Sequence, residues 1–298
     1  KVWDNIIKMK NVENIIINKI VSQIPYDDKI KSSHWKFHLK NKELFNIYSK
    51  NEFGSFTTKL FYKSIILYLL QIIIYGYKIT KSEIFKKYYE IYNKINRQID
   101  SDTLRHIFTF KLLKKYDNFK KICIIGDGKA NFLLGSLIFY PSAQIFSVNL
   151  SEVLLDDYLI LKKHKIIGDD KIHVVEDVND NLYHSSKIIF VPSHLKNFLF
   201  EKKIDLFINI NSFQEMTNSE VSKYFDIIKT NKTLLYTSNR QYKKLYDGEE
   251  LVFDNYNWGD GVKILYEECP WTKYFYSTKP PFIHKYDGKV KHALVRYN

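Results

Sequence analysis

Lys121-Ile122-Cys123-Ile124-Ile125-Gly126-Asp127-Gly128-Lys129-Ala130-Asn131-Phe132 is the stretch whose reading decides the fold. An apolar run of strand type meets a Gly-x-Gly-x-Ala turn, and an apolar, helix-like stretch from Phe132 to Phe139 follows at once. Glycines at 126 and 128 let the chain turn sharply and bring bare backbone against a ligand, while the small Ala130 lets the next helix sit close to the strand. That is the nucleotide-binding turn of a doubly wound α/β sheet. The same spacing serves dinucleotides, S-adenosylmethionine (SAM) and chance, so the rest of the chain has to choose among them.

Downstream the pattern alternates. Helix is expected over Ala130–Tyr140, strand over Gln144–Val148 and helix over Glu152–Lys163. Two stretches then compete for the third strand, Ile172–Val175 and Lys187–Val191. The second is preferred, because Pro192 ends it and a short helical stretch, Leu195–Phe200, follows. Strand Asp205–Ile210, helix Asn218–Lys229 and strand Thr233–Thr237 continue the series, which implies a parallel sheet with right-handed crossovers. The tail departs from this. Lys263–Glu267 and His292–Tyr297 are strand-like, and a long aromatic, proline-containing loop joins them, as expected of an antiparallel pair closing the sheet edge.

Upstream, residues 1–100 read as a helical region that packs over the carboxyl edge of the sheet and helps enclose an acceptor. Val12, Ile15, Ile16 and Ile20 have helical spacing, and Ile84 to Ile95 carries Lys and Glu on its other face. The apolar stretch Ser64 to Tyr77, between Lys63 and Lys78, falls short of the ~20 residues a membrane span needs and reads as a buried helix. Ser101-Asp102 caps a helix over Thr103 to Tyr116, which Asp117-Asn118 breaks. Residues 101–298 then form the nucleotide-binding domain.

The formal charge of +13 invites a nucleic-acid partner, but its make-up argues against one. Only four of the basic residues are arginines (Arg97, Arg105, Arg240, Arg296), and the lysines are scattered among acids. Base reading and bidentate phosphate recognition favour arginine. A diffuse lysine surface suits solubility and attraction of an anionic substrate. The two cysteines, Cys123 and Cys269, fit no metal spacing, and Cys123 packs inside the first strand. No signal peptide is visible in a chain that starts on lysine, and the reading is cytoplasmic.

Ligands of open α/β sheets sit at the carboxyl ends of the strands. After the first strand come Gly126, Asp127 and Gly128, with Ala130 behind them. After the second come Asn149, Leu150, Ser151 and Glu152, where a ribose partner is expected. Asn149 accepts one hydroxyl there or caps the next helix, a role Ser151 fits equally well. After the third come Pro192, Ser193 and His194, level with an adenine ring. After the fourth come Asn209, Asn211, Ser212, Gln214 and Glu215, more polar groups than a plain loop needs.

Here the sequence resembles a known family. Asp205-Leu206-Phe207-Ile208-Asn209-Ile210-Asn211-Ser212-Phe213-Gln214-Glu215-Met216 is similar to the DLxINxxSFQEM segment of bacterial sugar O-methyltransferases, relatives of enzymes that methylate deoxysugars. The likeness continues through Leu235-Tyr236-Thr237-Ser238-Asn239-Arg240, Tyr256-Asn257-Trp258-Gly259-Asp260, Trp271 and Lys279-Pro280-Pro281-Phe282. It spans roughly the last two hundred residues. The resemblance implies a Rossmann-like class I methyltransferase fold, SAM as cofactor, and a sugar or nucleotide-linked sugar as acceptor. Two positions depart from the SAM-dependent pattern: Ile124 stands where an acid is usual before the first glycine, and Asn149 replaces the ribose acid. An RNA or cap methyltransferase and a non-catalytic relative of the same fold are the alternatives.

On that reading the cofactor would contact Gly126, Asp127, Gly128, Ala130, Asn149, Leu150, Pro192, Ser193, His194, Asn209 and Asn211. Glu215 is the expected base, with Asp260, His284 and His292 in reserve. Ser212, Gln214, Asn239, Arg240, Trp258 and Asp260 would grip the acceptor. No metal is expected, since only Glu215, Asp254 and Asp260 could meet, on separate loops.

Overall fold

A computed structural model describes residues 14–40, 61–116, 118–276 and 280–298. Eight strands form the main sheet. Across it run β3 (Ile172–Val174), β4 (Ile188–Pro192), β2 (Gln144–Asn149), β1 (Lys121–Ile125), β5 (Leu206–Ile210), β6 (Leu234–Arg240), β12 (Val290–Arg296) and β9 (Val262–Glu268), in that order. From β3 to β6 every pairing is parallel, whereas β12 runs antiparallel to both β6 and β9. The strand order steps outward on either side of β1, so the crevice between β1 and its two neighbours is the switch point at which such sheets bind ligands.

Side-chain alternation explains why these apolar runs are strands. Ile122 and Ile124 enter the core on one face with Ile145, Leu206 and Leu234, while Cys123 and Ile125 enter the other with Phe146, Phe207 and Leu235. A strand buried on both faces is mostly apolar, and the polar residues of these strands gather toward their carboxyl ends, as at Asn149, Asn209 and Asn239. On the first face lie α6 (Ser101–Leu113), α7 (Asn131–Phe139) and α8 (Ser151–Lys163), and on the second lie the 3₁₀ turn Ser193–Leu199 and α9 (Asn218–Thr230). The α/β class, the mostly parallel sheet and the antiparallel carboxyl-terminal strands are those expected from the sequence.

Several local expectations are corrected. Both stretches that competed for the third strand are strands: β4 takes the third place and β3 pairs on its outer side. Helix α7 begins at Asn131 rather than Ala130, because Lys129 (φ 62°) and Ala130 (φ 52°) are left-handed. Helix α6 is capped by Asp100, whose carboxylate accepts from Thr103 N at 2.9 Å, so Ser101 and Asp102 lie inside the helix. The tail loop is not structureless either, since β10 (Tyr274–Tyr276) and β11 (Ile283–Lys285) form a hairpin within it.

The described helices upstream are α1 (Ile15–Asp27), α2 (Ser33–Lys40), α3 (Phe61–Tyr75), α4 (Tyr77–Thr80) and α5 (Glu83–Lys94). Val12 and Asp117 lie outside the described residues. The apolar stretch that became α3 is not fully buried: Leu67, Leu70 and Gln71 pack inward, while Ile65, Leu69 and Ile73 are exposed. Among the described residues no helix is long and apolar enough to cross a membrane.

Asp27 is one residue that ties the amino-terminal segment to the sheet. Helix α8 has no capping side chain of its own. Asp27, fully buried at the end of α1, accepts from both Ser151 N and Ser151 Oγ at 2.6 Å, and pairs with His194 Nδ1 at 2.9 Å. The cap that the sequence suggested for Asn149 or Ser151 therefore comes from over a hundred residues upstream. Replacing Asp27 with alanine leaves that helix end and His194 without their acceptor, so urea unfolding should show a loss of about 1–3 kcal/mol. Asp27→Asn, which retains one carbonyl acceptor, should lose less.

Candidate functional site

The glycine turn is built by its neighbours. Gly126 has φ +76°, and a Cβ there would collide with the Ser212 hydroxyl, so only glycine fits. Asp127 does not face solvent. Its carboxylate accepts from Phe132 N at 2.9 Å and Leu133 N at 2.7 Å and closes the first turn of α7. Burial raises its pKa to about 6 against these amides and Arg97, which favour the ionised form. Ala130 N donates to Asp157 on α8, again at buried positions. Gly128 differs from Gly126: its φ is not positive, and a Cβ there meets no protein atom within 4 Å.

The polar loop after β5 is largely a knot. Asn209, wholly buried, donates to Ile125 O (3.1 Å) and Ser212 Oγ (2.6 Å), and accepts from Asn239 Nδ2 (2.8 Å). Ser212 donates to Ile125 O, Asn239 accepts from Gln214 N, and Gln214 Oε1 accepts from Arg240 N at 2.7 Å. These bonds lock the carboxyl ends of β1, β5 and β6 together. Asn209, Ser212 and Asn239, expected to meet cofactor or acceptor, thus have their side chains bonded inside the protein, and Gln214 has its Oε1 bonded there. Asn211 (φ 63°) and Glu215 are left, and both line a cavity.

That cavity has a volume of about 320 Å³ and lies over the ends of β1 and β5. Ile124 to Lys129 form one wall, Asn131 and Phe132 the start of α7, and Ile208, Ile210, Asn211 and Glu215 the wall beyond β5. Trp35 from α2 and Asp102, Arg105 and His106 from α6 complete it. Sequence reasoning missed these four residues. The two helices carry no ligand-binding motif, and only packing brings them to the strand ends.

Glu215 keeps about a quarter of its side chain exposed, and its Oε1 lies 3.6 Å from His34 Nε2 on α2. Burial raises its pKa to about 7, opposed by the positive charges of Lys243 and Arg240. His34 is lowered to about 4, by burial first and then by His38 and Lys243, so it is neutral near pH 7. The hydroxyl of Ser32 donates to the Glu215 carbonyl, which seats α2 on this loop. His106 is also lowered to about 4, chiefly by burial, and its Nδ1 has no partner.

The expected ribose and adenine positions are differently placed. Asn149 donates to Asp127 O at 2.9 Å and accepts from Leu150 N at 3.0 Å, so its amide is turned to the backbone. His194 is held between Asp27 and Gln23, which corrects its expected contact with a ring. Leu150, Ser193, Asn149 and Gly126 line a second, narrow cavity of only about 30 Å³, closed by Ile30, Lys31, Ser32 and Trp35. Pro192 ends β4 opposite Asn149. Lys31 crosses this end of the sheet to pair with Glu152, both nearly buried.

Two expected acceptor residues are far off. Trp258 packs on Phe225 in the core of the opposite face, its indole N–H donating to Phe253 O at 3.1 Å. Asp260 precedes Gly261, which abuts Val295 and Tyr297 at the amino end of the parallel strands. Both assignments are corrected: the loop carrying them returns the chain to the wrong edge before β9 begins. Arg240 stays at the carboxyl edge, paired with Asp287 at 2.9 Å and lying over Tyr286. Of the reserve bases, His292 is buried against Tyr236 and Trp271, and His284 lies on the exposed β10–β11 hairpin. Asp254 is bonded to Lys291 and Tyr266. Among the described residues, no group of three or more His, Cys, Asp or Glu side chains could hold a metal ion.

No protein-family model matches the chain, and no curated protein does. Solved structures similar to it include the N-methyltransferase NodS from Bradyrhizobium japonicum, at 9% identity and TM-score 0.42 over 66% of this chain and 96% of that one. A SAM-dependent methyltransferase from Clostridium acetobutylicum is 13% identical at TM-score 0.41, over 72% and 99%. The methyltransferase domain of bacterial CtHen1 is 15% identical at TM-score 0.41, over 67% and 100%.

The two glycines make opposite predictions. Gly126→Ala should destabilise the fold by about 1–3 kcal/mol through collision and backbone strain, read as a lower melting temperature. Gly128→Val has room within the protein, so it should fold and melt like the parent while losing whatever ligand occupies the cavity.

Proposed function

We propose that this chain is a SAM-dependent O-methyltransferase acting on a hydroxyl of a sugar or sugar conjugate, nucleotide-linked sugars included. The observation that carries the reading is that the glycine turn and Glu215, a carboxylate with its pKa near 7, face one cavity at the switch point of the sheet. The SFQEM likeness supports the sugar acceptor.

The residues fit the cofactor in two different ways. Around the larger cavity, the open space at Gly128 lets main chain approach a ligand, and polar groups from α6 face the same volume. At the nucleoside end, Asn149, Leu150 and Ser193 line a space of only about 30 Å³, far below the ~300 Å³ of ordinary ligand sites. Segment 27–35 therefore acts as a lid, and it lifts to admit the nucleoside and reseats over it. The lid role of the amino-terminal region rests on this segment and α1. Helix α5 packs on α6 and α7, with Tyr88 against Phe110 and Phe139.

SAM, when bound, supplies an electrophilic methyl group on a sulfonium. The protein's part is to hold the acceptor hydroxyl in line with it and to take the hydroxyl proton, and positioning supplies much of the acceleration. Glu215 receives that proton on a carboxylate oxygen as the new oxygen–carbon bond forms. A carboxylate with a pKa near 7 is a far stronger base than an ordinary one and is still substantially ionised at neutral pH. Trp35, Ile124, Phe132, Ile208 and Ile210 give the cavity an apolar part, which limits competing water there.

Glu215→Gln should cut methyl transfer from labelled SAM to a nucleotide-sugar pool by roughly 10²–10⁴-fold with little change in SAM affinity. In the parent, kcat/KM should rise with pH through about 7, as the carboxylate ionises. Lys243→Ala removes a charge that lowers this pKa, so the rise should move to higher pH. Stability gives an independent check. A folded pKa raised above 4.5 favours the native state fully below that value and is lost as pH climbs through about 7. Glu215→Gln should therefore melt progressively higher than the parent across that window. A pH-independent difference in melting, or near-normal turnover, would remove Glu215 from the base role.

A further inference from the structure

Arg105 is an unusual residue in this chain. Of the 46 basic residues only four are arginines, and this one stands on α6 with just 7% of its side chain exposed, lining the larger cavity. Burying a guanidinium is costly unless its donors are used. Arg105 Nη2 bonds Asp102 Oδ1 at 2.7 Å, and the guanidinium lies 5.2 Å from the centre of the Tyr286 ring. Its Nε and Nη1 make no hydrogen bond to any described residue, and the side chain lines the cavity. A guanidinium carries five donors, so the three on Nε and Nη1 remain for a ligand, along with the second on Nη2.

Asp102 lines the same cavity, its side chain half exposed, and across from the pair runs the main chain of Gly126 to Gly128. A cation with free donors beside a carboxylate is complementary to a group that carries both charges, an ammonium next to a carboxylate. Neutral sugars have neither. We infer that Arg105 binds the carboxylate of an α-amino-acid group, the amino-acid end of SAM, with Asp102 facing its ammonium. The cofactor then lies with that end against α6 and its nucleoside end toward the lid. The inference rests on the proposed SAM-dependent function.

The test compares two ligands by calorimetry: S-adenosylhomocysteine, which has the amino-acid group, and 5′-methylthioadenosine, which keeps the nucleoside and lacks it. The parent should prefer S-adenosylhomocysteine. Arg105→Gln should weaken S-adenosylhomocysteine by roughly 10–100-fold and leave 5′-methylthioadenosine within about twofold, a difference too small to reflect a lost charged contact. Arg105→Lys, which keeps the charge without the planar fork, should fall between. Circular dichroism shows whether each variant is folded, and the lysine variant carries the test if the glutamine variant is not. Equal effects on both ligands, or no effect on either, would overturn the role of Arg105 while leaving SAM binding intact. A parent that binds neither ligand would instead overturn the SAM reading itself.

Discussion

Asn209 sits wholly buried where β5 ends, and its one side chain reaches Ile125 O on β1, Ser212 in the following loop and Asn239 on β6. An amide has two donors and two lone pairs, and here both ends are engaged. The consequence is geometric. Three adjacent strands are pinned at their carboxyl ends, Ser212 is pressed against Gly126, and Glu215 emerges over the resulting crevice. A residue that looks like a ligand contact works instead as the fastening that makes a contact surface possible.

The crevice has two unequal halves, and the inequality has a cause. Over β1 and β5 the walls are strand ends, the glycine turn and the face of α6, which leave about 320 Å³. Over β2 and β4 the segment from Asp27 to Trp35 lies across the strand ends, fixed by Asp27 to Ser151 and His194 and by Lys31 to Glu152. These are buried charge contacts. Each offsets the cost of removing its groups from water only while the segment is seated. Such contacts hold the segment firmly where it is seated, which suits the lid role proposed for it.

Carboxylates near the crevice are sorted by what surrounds them. Asp127 has two backbone amides and stays bound to the start of α7, although burial raises its pKa to about 6. Asp156, on α8 behind the turn, is pushed up to about 8 by burial, against the pull of Lys129. Glu215 lies between these in pKa; it lines the cavity as Asp127 does, but its carboxylate is not held by backbone amides. Burial acts on all three. What each carboxylate is bonded to separates a structural acid from a candidate base.

The sequence by itself determined the sheet. Apolar runs at Ile122–Ile125, Gln144–Val148 and Asp205–Ile210, separated by helical patterns, imply a parallel arrangement, and the Gly126–Gly128 turn marks the strand end where the cavity opens. These signals are local: strand period, turn glycines and helix composition lie within a few residues of one another. The turn and Glu215 were legible for that reason, because each follows a strand directly. What surrounds them was not. The cap of α8 comes from Asp27, Arg105 and Trp35 arrive on helices with no motif, and Trp258 and Asp260 leave for the opposite edge despite their promising residue types. Asn209, Ser212, Gln214 and Asn239 looked available because a sequence lists polar groups without their partners. Only the tertiary structure shows which donors and acceptors have already met, since hydrogen bonds between strand ends join residues tens of positions apart and leave no periodic trace in the chain.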